Sequence, residues 1–321
     1  MVSMNTTNTP QPNTDKSNKR ESRYVRVARI SYRLAQRTLP LYSHPKSPHH
    51  FTLPQLAACV LMAFYMKLSY RDMEEWLLAT DAVCKELELA RVPDHATLAR
   101  AYKKLRVRDF DKMKELLLSE LGVEGSEEVL ASDSTGFSPS GASAYYQTRS
   151  GRTFHWWEKG AYCVGCHSQF ILSWRSGRGP GIDAPYLNGL RRDARRYGHY
   201  GVHKGNGVHK GNGVHKGTGR GRRRKWMMLA DAGFDGRGVQ EGDLIPPIRR
   251  GRGAHVVDPA RKARAELVAQ ARLDGVYGQR WKTETVNSVI KRRFGSALRS
   301  RKLSLQHREP IIKGLVYNIH V

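Results

Sequence analysis

Apolar and polar positions change rhythm along this chain. Residues 1–22 are mostly Asn, Thr, Pro, Ser and Lys, a polar tail that cannot bury enough surface to order itself. Residues 23–50 read as a basic connector with prolines and histidines. From Phe51 the apolar positions take helical spacing. LPQLAACVLMAFYMKL predicts a buried helix with Pro54 near its first turn. Ser69 and Asp72 stand at capping-box spacing ahead of YRDMEEWLLA. Pro93-Asp94 opens a short basic helix in VPDHATLARAYKKL, and DFDKMKELLLSEL predicts another.

From Glu128 the pattern turns to strands. EVLASDSTGF, AYCVGCHSQFILSW and KWMMLADAGFD each read as one strand, and DLIPPI as a short strand or loop. APYLNGLRRDARRY, DPARKARAELVAQARL and VYGQRWKTETVNSVIKRRFG read as helices. Alternating strands and helices predict an α/β layered domain over 126–321, preceded by a helical domain over 51–125. Short helices ending in a cationic one suit a helix-turn-helix, whose last helix enters the DNA major groove. A plain helical bundle with a solvated basic face shares that pattern.

One segment is low in complexity. GVHKGN, GVHKGN and GVHKGT fill 201–218 and run into GRGRRRK, which predicts a flexible cationic loop at 201–224.

Composition narrows the class. Lys and Arg number 55 against 29 Asp and Glu, a net charge of +26, which points to a polyanionic partner, most simply nucleic acid. Six Trp and 14 Tyr argue against wholesale disorder. The longest apolar run, Leu56 to Met66, is eleven residues, short of the ~20 that span a bilayer. The first twenty residues hold no apolar stretch of signal-peptide type, and four cysteines are too few for a disulfide scaffold. The expectation is a cytoplasmic, reduced protein with no membrane partner.

Two aspartates share a setting. Asp133 follows VLAS and Asp231 follows WMMLA, each at the end of an apolar strand, where α/β sheets place ligands and catalytic groups. Capping of the next turn is the structural alternative for either. Asp235, close to Asp231, is an exchangeable candidate. Further on, Tyr277, Arg280, Glu284 and Lys291 fall within about 60° of one another at ~100° per residue, beside an apolar face of Val276, Val286, Ile290 and Phe294. A salt-bridged solvent face would look the same, because Arg280 and Glu284 are an i, i+4 pair.

The spacing Tyr277-x2-Arg280-x3-Glu284-x6-Lys291 resembles the tyrosine-arginine-glutamate-lysine signature of insertion-sequence transposases with a DDE active site. Asp133 in ASDSTG and Asp231 in LADAGFD resemble the first and second acids of that family, in the right order. LPQLAACVLMAFYMKLSYRDMEEWL and RVPDHATLAR are similar to its helical region, so the likeness covers about residues 51–321. It implies an RNase H-like catalytic core, a mixed sheet flanked by helices, in which Asp133, Asp231 and Glu284 hold two magnesium or manganese ions. Three hard oxygen ligands suit those metals. It implies an endonuclease that cuts DNA at the terminal inverted repeats of its mobile element. Transposition follows, with the 3′-hydroxyl ends transferred to target DNA, by a homodimer assembled on DNA at the nucleoid. Tyr277, Arg280 and Lys291 would hold the transposon end, and Trp281 would stack on an unpaired base. An RNase H-like nuclease without strand transfer, and a catalytically idle DNA-binding descendant, are the alternatives.

Other signals point to blander roles. CVGCH at 163–167 matches half a zinc site and a haem attachment motif, but thiols packed inside a strand explain it more simply. His203, His209 and His215 sit in a glycine-rich loop that is not preorganised for metal.

Overall fold

The computed structural model describes residues 21–46, 48–139, 157–198, 226–248 and 258–321. The repeat loop and its three histidines lie outside these residues. Within the stretch expected to be a connector stands a helix, α1 (Arg23–Thr38), capped by Ser22. Val27, Ala28, Ser31, Tyr32, Leu34 and Ala35 form its buried face, while Arg29, Arg33 and Arg37 pair with Glu86 and Glu120. Those buried positions recur at helical spacing between the arginines, so the amphipathic period stands in the sequence itself.

Five more helices follow: α2 (Leu53–Met66), α3 (Tyr70–Leu78), α4 (Asp81–Glu86), α5 (His95–Lys104) and α6 (Val107–Glu120). Capping chemistry fixes several starts. Thr52 and Gln55 box the N-terminus of α2, Ser69 and Asp72 that of α3, and Asp94 accepts from the Thr97 amide at the head of α5. Helix α2 is buried on nearly every side.

The remainder is α/β, a mixed five-stranded sheet flanked by helices. Its strands are β1 (Val129–Pro139), β2 (Glu158–Gly165), β3 (Ile171–Arg178), β4 (Met227–Ala230) and the two-residue β5 (Ala297–Leu298). The order is β3-β2-β1-β4. β1 is antiparallel to β2, β2 antiparallel to β3, and β1 parallel to β4. AYCVGCHSQFILSW, expected as one strand, is β2 and β3 joined by a tight turn in which Gln169 takes a left-handed backbone at φ 60°. DLIPPI contributes one parallel bridge, Leu244 to Leu229 on β4.

The helices around the sheet are α7 (Ala184–Ala194), α8 (Pro259–Leu273), α9 (Trp281–Phe294), α10 (Leu303–Gln306) and α11 (Glu309–His320). Strand alternation divides the core. Phe137, Tyr162 and Trp174 pack with Val286 and Ile290 of α9, with α11, and with α1 to α6 in one continuous cluster. Leu130, Ala161 and Cys163 face the other way, onto Leu187 and Leu190 of α7. A third cluster sets Ala131 and Leu229 against Val268 and Ala271 of α8. Helix α11 has no amphipathic signature because Ile311 to Ile319 are buried all round. The helical region therefore shares its hydrophobic cluster with one face of the sheet.

Helix α9 is fastened at both ends. Immediately before it, a 3-10 turn (Tyr277–Arg280) brings the Tyr277 hydroxyl to donate to the Ala230 carbonyl, 3.1 Å away, at the end of β4. Immediately after it, β5 pairs with the far end of β1 at Ser138 and Pro139. From α11 the buried Lys313 ammonium donates to the Gly295 and Ala297 carbonyls at 2.6 and 2.8 Å. No helix among the described residues is long and apolar enough to cross a membrane.

Candidate active site

The parallel register of β1 and β4 ends with Ser132 opposite Ala230. One residue further along, the next positions are Asp133 and Asp231, so the two acids emerge side by side where β4 stops. Asp133 pairs across the other edge with Tyr162 and lies on the face that α9 covers. Its Oδ2 accepts a hydrogen bond from Asn287 Nδ2 at 2.9 Å. Burial, reinforced by the neighbouring Asp231 charge, pushes the Asp133 carboxyl up to about 6, against the pull of the Ser134 amide, Arg280 and Asn287.

Asp231 does serve as a cap: its Oδ1 accepts from the Gly233 amide at 3.0 Å and starts the short 3-10 turn Ala232–Phe234. Among the described residues no hydrogen bond engages Oδ2, so capping uses only one of its two oxygens. Asp235 is different. It is buried, its carboxylate is gripped by Arg261 and Arg264, and it accepts from the Ile248 amide at 2.8 Å. Its oxygens are spoken for, which removes it as a stand-in for Asp231.

Glu284 sits in the first turn of α9, its side chain about half exposed and ion-paired with Arg280. Arg280 lies within electrostatic reach of Asp133 as well as Glu284. The continuous helix expected from Val276 onward is a 3-10 turn followed by α9, so Tyr277 and Arg280 depart from an ideal α-helical wheel. Tyr277 is thereby directed at β4 rather than out along the α9 stripe. Burial raises its phenol above the ordinary range. Lys291 is partly buried in the last turn of α9, and Trp281 is 55% exposed, a surface aromatic rather than a core one.

The structure thus gathers Asp133, Asp231, Tyr277 and Arg280 at one strand end and brings Glu284 to its border. Among the described residues no three His, Cys, Asp or Glu side chains converge closely enough to hold a metal ion. The fit to a divalent cation rests instead on adjacent carboxylates and on Asn287. Its Oδ1 is buried without a partner, beside the Nδ2 that holds Asp133. Glu284 is three residues, about one helical turn, before Asn287, so the two share one side of α9. An all-oxygen set of this kind suits magnesium or manganese.

Asn287 was missing from the sequence-based candidates. At ~100° per residue it falls about 20° outside the Tyr277–Lys291 stripe, at the border with the apolar face, so the wheel did not single it out. A cleft of about 430 Å3 runs along β1, lined by Ser134, Thr135, Gly136, Ser138, Trp157 and Lys159, with Ser134, Gly136 and Lys159 on the α7 face, opposite that of Asp133. The thiols of CVGCH are buried on different sides of the sheet, Cys163 toward α7 and Cys166 toward α8. Comparison with protein-family models and with curated proteins returns no match for this chain.

Proposed function

We propose that this chain is a DDE transposase with an RNase H-like core, acting on the DNA ends of its own insertion sequence. The observation that carries the reading is the pair of acids at adjacent ends of parallel strands, with Glu284 on the helix crossing above them. The order β3-β2-β1-β4, with its antiparallel, antiparallel and parallel pairings, supports it, as does the +26 charge. The signature residues Tyr277, Arg280, Glu284 and Lys291 lie on the turn and helix that border the site.

In this reading Asp133, Asp231 and Glu284 hold two divalent ions, with Glu284 recruited from its ion pair. Ions held there would supply Lewis acidity to an attacking water or 3′-hydroxyl and to the oxygen that leaves phosphorus. The residues do the rest. Tyr277 fixes the end of β4 and with it the direction of Asp231. Arg280, released from Glu284, and Lys291 neutralise phosphates flanking the scissile bond. Trp281 offers an exposed ring for an unpaired base. Joining two ends calls for a homodimer on DNA.

Magnesium-dependent nicking of a duplex carrying the element's terminal repeats, and transfer of a pre-cut 3′ end to plasmid DNA, test the proposal. Both activities are expected from the wild type, and Asp133→Ala, Asp231→Ala and Glu284→Ala each lose them while keeping DNA binding. Full activity in any of these variants sinks the assignment. Nicking without strand transfer would make the chain a nuclease, and no nicking at all an idle descendant.

A further inference from the structure

Helix α9 buries Thr283, Val286, Asn287, Ile290 and Phe294. Four of these are satisfied where they lie. Val286, Ile290 and Phe294 pack in the large hydrophobic cluster, and the Thr283 hydroxyl donates to the Arg280 carbonyl at 2.8 Å. Asn287 is the exception. It is 7% exposed, and one end of its carboxamide donates to Asp133 while Oδ1 at the other end meets no donor. A buried acceptor left unmet is destabilising, a cost that an apolar side chain of similar size avoids.

The neighbours do not supply the missing donor. Asp133 and Asp231, when ionised, only accept. Arg280 spends its guanidinium on Glu284. A hydrated divalent ion brings donors of its own, because magnesium and manganese keep several bound waters when held by few carboxylates.

We propose that Asn287 belongs to the cation site of Asp133 and Asp231, its Nδ2 orienting Asp133 and its Oδ1 accepting a hydrogen bond from a water on the bound divalent ion. This rests on the reading of that aspartate pair as the cation site. Asn287 is a positioning residue in this scheme. It sets the direction of one carboxylate and of one water, and it favours the hydrated ion over an empty pocket. Outer partners of this kind are worth 10–100-fold in metal affinity.

Manganese binding by the full chain, followed by the paramagnetic resonance signal of free Mn2+ and by calorimetry at neutral pH, tests the inference. Asn287→Ala and the bulkier Asn287→Leu are each expected to weaken Mn2+ by roughly 10–100-fold. Their unfolding midpoints in EDTA report folding separately, because each variant removes the unmet acceptor together with the hydrogen bond to Asp133. Leu covers the case in which the cavity left by Ala loosens α9. An unchanged Mn2+ affinity in a folded Asn287 variant, with Asp231→Ala weakened, overturns the role of Asn287 and leaves the aspartate site standing. Wild-type affinity in Asp231→Ala, or no binding by the wild type, overturns the aspartate site itself.

Discussion

Asp231 and Asp235 stand four residues apart and do opposite things. Asp235 is enclosed by two guanidinium groups and a backbone amide, so its charge is answered by the protein alone. Asp231 uses one oxygen to cap a turn and faces a second carboxylate with no intervening cation of its own. A carboxylate fully answered by its own chain holds structure together. Two that crowd each other, with an orphaned amide oxygen beside them, keep capacity for something the chain does not contain.

The largest expected contrast separates these two aspartates. Asp231→Ala should lower magnesium-dependent nicking to the level of a reaction without enzyme while leaving urea unfolding near wild type. Asp235→Ala should cost about 2–4 kcal/mol in the same unfolding assay, because it strands Arg261 and Arg264, though their partial exposure softens the penalty. Equal stability of the two variants would erase the distinction.

Next comes pH. Burial and the Asp231 charge raise Asp133 from the ordinary 3.8 to about 6 in the folded chain, so protonation favours folding. The associated stability is complete below pH ~4 and is lost as the pH climbs through about 6. In EDTA, Asp133→Asn should therefore exceed the wild type by about 1–3 kcal/mol at pH 7, the gap closing by pH ~4. A gap independent of pH would place the cause elsewhere.

Smaller effects lie at the turn before α9. Tyr277→Phe removes the hydrogen bond to Ala230 and should cost about 1 kcal/mol in thermal unfolding. Arg280→Ala should shallow the salt dependence of DNA-end binding by about one unit of log–log slope, as expected on losing one phosphate contact. An unchanged slope would confine Arg280 to its pairing with Glu284.

Much of the frame was legible in the sequence because it follows from local chemistry. Caps at Ser69 and Asp94 announce helices, and apolar runs ending in Asp133 and Asp231 announce strand ends. What escaped depends on partners far away in the chain. Helix α11 is covered by the sheet and the helical region together, so its buried residues carry no period. Helix α1 carries its buried stripe openly, but the charge run of the basic segment suggests a connector, and most acidic partners of its arginines stand 57 to 87 residues on. Asn287 lay on the border between that stripe and the apolar face, and an asparagine there is unremarkable until its neighbour is known to be a strand-end carboxylate.

The double fastening of α9 sets how the third acid can arrive. The tyrosine hydrogen bond holds one extremity of the rod to β4, and the short parallel pairing holds the other to β1. On the proposed function, recruitment of Glu284 would need only torsion about a few bonds of a single surface side chain, a picosecond-to-nanosecond event. Assembly of the pocket would be gated by whatever outbids Glu284 for the Arg280 guanidinium, and an arriving phosphodiester is the natural bidder.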